Sequence, residues 1–148
     1  MNIFVSGGAG YIGSATAEAL LKAGHSVTVF DSLITGHRGA VPEGTHFIHA
    51  GLEDSHALAE ALTSERFDAV IHFAAFIEAG ESMNDPGRFF HNNFTNSLNL
   101  IETATRAGVK RFVFSSTAAV YQSSDTPLTE ESPLGPTNVY GHTKLMTE

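Results

Sequence analysis

The chain has 148 residues, 42% of them hydrophobic, with 14 glycines, no cysteine and a net charge of −8. That length suits one domain with a sizeable core. No apolar run reaches the roughly 18 residues of a membrane span, the acidic balance argues against a nucleic-acid surface, and zero cysteines exclude disulfides and thiolate metal sites.

Asn2–Ser6 reads as a buried strand with no basic segment before it, so no secretory leader is expected and the cytoplasm is the expected compartment. Tyr11–Ala23 reads as a helix closed by Gly24, and Ser26–Phe30 as a second strand. Thr45–His49 is a third strand. A helix follows from about Ser55 to Ser64, with Ala57, Leu58, Ala61 and Leu62 on one face. Asp68–Phe73 is a fourth strand, a long helix is expected from Pro86 to Ala107, and Lys110–Ser115 is a fifth strand. Gln122 to Thr137, rich in proline and serine, is a loop. Strands alternating with helices predict an α/β, doubly wound parallel sheet with right-handed crossovers.

The segment SGGAGYIG leaves the first strand and opens the first helix, placing Gly7, Gly10 and Gly13 three apart. Glycines there allow a tight turn, close approach of a pyrophosphate to the backbone, and close packing of helix on strand. The helix N-terminus then favours the anion. Asp31 follows the second strand, where a carboxylate accepts hydrogen bonds from an adenosine ribose and repels a 2′-phosphate. Strand, loop, helix, strand and acid in this order predict a dinucleotide site that selects NAD over NADP. The same DSLITG residues also suit a plain turn.

Near the other end, VYGHTK sets Tyr140 and Lys144 four apart, on one face if the segment from Asn138 is helical. A phenol with a pKa of about 10 is a poor base at neutral pH, and bringing it there takes roughly 4 kcal/mol of preferential phenolate stabilisation. A neighbouring lysine and a positive nicotinamide ring are suitable sources. Ser115, Ser116 and Thr117 lie at the carboxyl end of the fifth strand, where open α/β sheets bind ligands. A hydroxyl there can bind the substrate oxygen that the tyrosine deprotonates.

Together with VFDSL, FDAVIHFAA, GES, NNFTNSLNLIE and RFVFSSTAAVY, these motifs make the chain resemble the extended short-chain dehydrogenase/reductase family. Within it, the UDP-glucose (UDP-galactose) 4-epimerases are the most similar branch. The resemblance runs from Asn2 to the last residue. It implies that Tyr11 and Ile12 belong to the pyrophosphate loop, that Asp31, Ser32 and Leu33 hold the adenosine ribose side, and that Leu52 flanks the adenine. Phe73, Ala74 and Ala75 would lie along the cofactor, with Asn92 reaching it from the long helix and Ser115 close by. Thr117, Tyr140 and Lys144 take the places of the catalytic hydroxyl, base and lysine.

The implied chemistry is reversible oxidation of a UDP-sugar at C4, with NAD retained through the turnover, in a homodimer built on the long helix and the Tyr140 helix. Two positions depart from the branch. Gly51 stands where many relatives have an aspartate that contacts the adenine amino group, and Ile77 where some have a lysine near the cofactor phosphates. Family members run to about twice this length. Residues 1–148 are therefore expected to be a Rossmann-type NAD-binding domain that stops before the last strands and the substrate domain, and inactive alone. A nucleotide-sugar 4,6-dehydratase or decarboxylase is the alternative enzyme, but those relatives carry a glutamate two residues after the catalytic threonine, where this chain has Ala119. A non-catalytic NAD-binding module is the alternative outside enzymes. His46, His49, His72 and His142 lie on different elements without ligand spacing, so no metal is expected.

Overall fold

The computed structural model describes all 148 residues, Met1–Glu148. The strands are β1 (Asn2–Ser6), β2 (Ser26–Asp31), β3 (His46–His49), β4 (Ala69–His72) and β5 (Phe112–Phe114). The helices are α1 (Tyr11–Lys22), α2 (Ser55–Thr63), α3 (Ala79–Asn84), α4 (Pro86–Phe89), α5 (Asn96–Arg106) and α6 (Val139–Thr147). Short 3₁₀ turns cover Arg38–Ala40 and Ala118–Val120. The chain groups into two compact units: Met1–Ala74 with Asn99–Ser115, and Ala75–Leu98 with Ser116–Glu148.

The first unit holds the sheet. All pairings are parallel, in the order β3-β2-β1-β4-β5, as the alternation of strands and helices predicts. Side chains alternate across the sheet, so each strand feeds two cores. Ile3 and Val5 join Val27 and Val29 under Ala17 of α1. Phe4 points the other way, joining Phe30, Val70, Leu58, Leu62 and Leu100. Each fully buried phenylalanine or leucine contributes about 2 to 3 kcal/mol. Asp54 caps α2 by accepting a hydrogen bond from Ala57 N, an interaction worth about 1 kcal/mol. At the β5 edge, Phe112 and Val113 are exposed by 37% and 53%.

Two features differ from the sequence reading. The run from Pro86 to Arg106 is not one regular α-helix, because a wide π-helical stretch, Phe90–Thr95, separates α4 from α5. The short α3 escapes pattern reading, since six residues with one glycine, one serine and one asparagine give no helical periodicity. No helix is long and apolar enough to cross a membrane.

Candidate cofactor and catalytic sites

In the first unit, Gly7 turns the chain out of β1 with φ 76°, in the left-handed region where a side chain is strained. Its N–H donates to Phe30 O at 2.9 Å, closing the loop onto β2. A Cβ on Gly13 would overlap the Gly7 carbonyl, so only glycine lets α1 start this close to β1. Gly10 is the N-cap of α1 and offers no side-chain cap, and Tyr11 and Ile12 behind it are exposed. The first-turn amides of α1 therefore face outward unclaimed by any capping side chain. A Cβ at Gly10 would meet only the Gly7 carbonyl, at 3.4 Å, so the space beside those amides is open to an anion. These residues fit a dinucleotide pyrophosphate.

Asp31 ends β2 with its side chain buried. Its Oδ2 accepts from Ala9 N at 2.9 Å and its Oδ1 from Leu33 N at 2.8 Å. The carboxylate thus braces the glycine loop, a duty the motif does not reveal. Leu33, bonded to it, sits at φ 59°, a left-handed conformation that costs a non-glycine residue about 1 to 2 kcal/mol. Ser32 lies beside it, and its backbone carbonyl is within 3.1 Å of His49 Nε2.

Beyond β3, Leu52 is buried, and its carbonyl accepts from the Asn99 side chain at 2.7 Å. At the end of β4, Phe73 N donates to Ser6 O at 2.9 Å, which leads Phe73 and Ala74 past the glycine loop. The buried Ser6 hydroxyl and His72 Nδ1, 2.7 Å apart, join β1 to β4 at the same level. Ser115 leaves β5 with its N–H on the His72 carbonyl at 3.1 Å.

The second unit carries Ala75, Asn92, Thr117, Tyr140 and Lys144. Asn138 caps α6 through Gly141 N at 2.8 Å, and Tyr140 N donates to the buried Ser82 hydroxyl at 3.0 Å. Gly141 is buried against the Ala119 carbonyl, where a Cβ would collide. That contact seats the Ala118–Val120 turn on α6 one residue from Tyr140. Thr117 opens the same turn, its Oγ1 accepting from Ala119 N at 3.1 Å, which leaves its hydroxyl proton free to donate. The structure thus brings the Thr117 turn onto the helix of Tyr140 and Lys144.

Sequence reasoning missed Ser82, Gly141 and Asn93. Asn93 is buried, and its amide bonds both the N–H and the carbonyl of Phe76, at 2.8 and 2.9 Å, and also Thr143 Oγ1 at 3.2 Å. Thr143 in turn donates to the Tyr140 carbonyl. Asn92, the expected cofactor contact, has its amide on Asn93 Oδ1 at 2.9 Å. The GES and NNF motifs hold two of the missed residues, but helical periodicity cannot say which asparagine faces inward. A π turn adds a residue, and each residue rotates the facing side by about 100°.

Lys144 is buried, and burial lowers its ammonium from the usual 10.5 to about 8. The folded pKa lies below the unfolded one, so the cost of burying the charge is fully present below about pH 8 and fades as pH rises to about 10.5. Lys144→Met keeps the length and loses the charge. Its effect on stability is expected to be more favourable at pH 7 than at pH 10.5, by on the order of 3 kcal/mol at most. Urea unfolding at both pH values checks this, and an equal effect at both would overturn it.

A parallel sheet in this strand order, with a glycine loop at an open helix N-terminus and an acid ending β2, defines a dinucleotide-binding domain of the Rossmann class. The chain belongs to the NAD dependent epimerase/dehydratase family, which it matches over residues 3–148. It is 46% identical over 149 aligned positions to a UDP-glucose 4-epimerase of Lacticaseibacillus casei, covering 100% of this chain and 45% of that protein. Among solved structures it resembles the UDP-Glc/GlcNAc 4-epimerase of Campylobacter jejuni, with a TM-score of 0.94 and 44% identity over 99% of this chain and 46% of that one. It also resembles the UDP-glucose 4-epimerase of Brucella ovis in complex with NAD, with a TM-score of 0.95 and 37% identity over 99% of this chain and 45% of that one. The chain therefore spans just under half the length of these relatives.

Proposed function

We propose that residues 1–148 form the NAD-binding, catalytic-residue-bearing part of a UDP-glucose/UDP-galactose 4-epimerase. One observation carries this reading: Gly141 packs on Ala119, so a donor hydroxyl (Thr117), a phenol (Tyr140) and a buried amine (Lys144) share one small assembly. Tyr140 takes the proton from the sugar O4, and Thr117 donates a hydrogen bond to the same oxygen. Lys144 binds the nicotinamide ribose and supports the phenolate. NAD held by these residues would supply a reversible hydride acceptor for the sugar C4.

Gly7, Gly10 and Gly13 with Tyr11 and Ile12 hold the pyrophosphate. Asp31, Ser32 and Leu33 hold the ribose side, and Leu52 the adenine. Phe73, Ala74, Ala75, Asn92 and Ser115 line the remainder. Elimination chemistry is disfavoured, because Thr117-Ala118-Ala119 lacks a second acid–base group.

The remaining length of the relatives is assigned to the last strands and the grip on UDP. Binding energy from that remote group places C4 within about 3 to 3.5 Å of its reaction partners. A polypeptide of these 148 residues alone is thus expected to turn over no UDP-sugar. A coupled assay with UDP-galactose, run on this chain and on one extended to the relatives' length, tests both statements. Turnover by the short chain near the long form's rate would refute the first, and an inactive long form would refute the epimerase reading.

The same reading makes the whole enzyme a cytoplasmic homodimer, paired through the α4–α5 run and α6. These carry exposed Leu98 and Met146, at 44% and 53%. Sedimentation of the long form at micromolar concentration is expected to give the dimer mass, and a monomer there would count against it.

A further inference from the structure

We propose that the Glu53 carboxylate reads the 6-amino group of adenine in the dinucleotide site, and so discriminates adenine from a purine with a carbonyl at that position. The inference rests on the NAD reading above and extends it to a residue that no motif marks. The pyrophosphate belongs at β1 and the ribose at Asp31 on β2, so the base continues outward along the order β3-β2-β1. Neighbouring strands are about 4.8 Å apart, so a base attached to that ribose reaches the end of β3. The chain there is Ala50, Gly51, Leu52 and Glu53, tied to β2 by Ala50 N donating to Asp31 O at 3.2 Å.

The turn that presents Glu53 is well anchored. Asp54 N donates to Gly51 O and Ser55 N to Glu53 O, both at 3.1 Å, while Asn99 bonds the Leu52 carbonyl and the Ser55 hydroxyl. From this turn the Glu53 side chain folds back over Gly51. Both carboxylate oxygens lie in the space that any Cβ at position 51 would fill. Glycine at 51 is thus what admits the carboxylate, and Glu53 supplies there the acid that position 51 does not. A carboxylate only accepts hydrogen bonds. It pairs with the amino group of adenine and opposes the carbonyl oxygen of hypoxanthine.

The test is titration of the chain with NADH and with reduced nicotinamide hypoxanthine dinucleotide, both followed by dihydronicotinamide fluorescence. The unmutated chain is expected to bind NADH roughly tenfold more tightly than the hypoxanthine form. Glu53→Gln, whose amide can rotate to serve either base, is expected to bring the ratio towards one. Gly51→Ala should do the same with Glu53 still present, because the new Cβ displaces the carboxylate. A ratio of one in the unmutated chain, or a ratio that persists in both variants, would overturn the proposal while leaving the NAD site intact. Binding of neither dinucleotide would instead overturn the NAD reading itself, and this proposal with it.

Discussion

Tyr140→Phe, in a polypeptide extended to the length of the relatives, is expected to lower UDP-galactose turnover by roughly 10² to 10⁴-fold, the usual contribution of a positioned general base. The substitution removes one oxygen and little else. The backbone of Tyr140 stays fixed by Ser82 and by the Asn138 cap, neither of which involves the phenol. Gly141 still packs on Ala119, so Thr117 keeps its place. NADH binding should therefore survive while the chemical step fails, a split that a folding defect would not produce. Parallel measurement of turnover and NADH affinity decides the matter. Turnover within a few-fold of the unmutated enzyme would remove Tyr140 from the role of base.

Preference for NADH over NADPH is the second large effect expected. Two unit charges 4 Å apart interact by about 4 kcal/mol at an effective dielectric constant near 20. Opposing the Asp31 carboxylate to a 2′-phosphate should therefore separate the two cofactors by roughly 10²-fold or more. Asp31→Ala removes that repulsion and should bring the ratio towards one. It also strips the acceptors from Ala9 N and Leu33 N, bonds to a charged group worth about 1.5 to 3 kcal/mol each. Absolute NADH affinity should consequently fall even as selectivity relaxes. Asp31→Asn is not a mild control, because its NH₂ would face one of those same N–H donors. Fluorescence titration with both dinucleotides checks the ratio, and equal affinities in the unmutated protein would sink the assignment.

The sequence by itself determined the sheet and the glycine loop of the candidate site, because those features are local. Five apolar runs bounded by turn residues became five strands, and β1 spans Asn2–Ser6 as read. The glycine spacing placed Gly7 and Gly13 because a tight turn and a close helix start need glycine at those points of the chain. Asp31 followed from its place at the end of β2. The Tyr140–Lys144 pair followed from helical spacing, and the structure starts that helix at the Asn138 cap.

Only the tertiary structure decided what depends on partners distant in sequence. Asn93 faces inward because a π stretch shifts the helix register, and no periodicity reveals that in advance. Ser82 matters through the backbone of Tyr140, 58 residues away. Gly141 looks like an ordinary helix residue until Ala119 is packed against it. The same holds for the lowered pKa of Lys144, which comes from burial. Gly51 read as the loss of an acid, yet the fold returns Glu53 over it, because a missing Cβ leaves space that a neighbouring side chain can occupy.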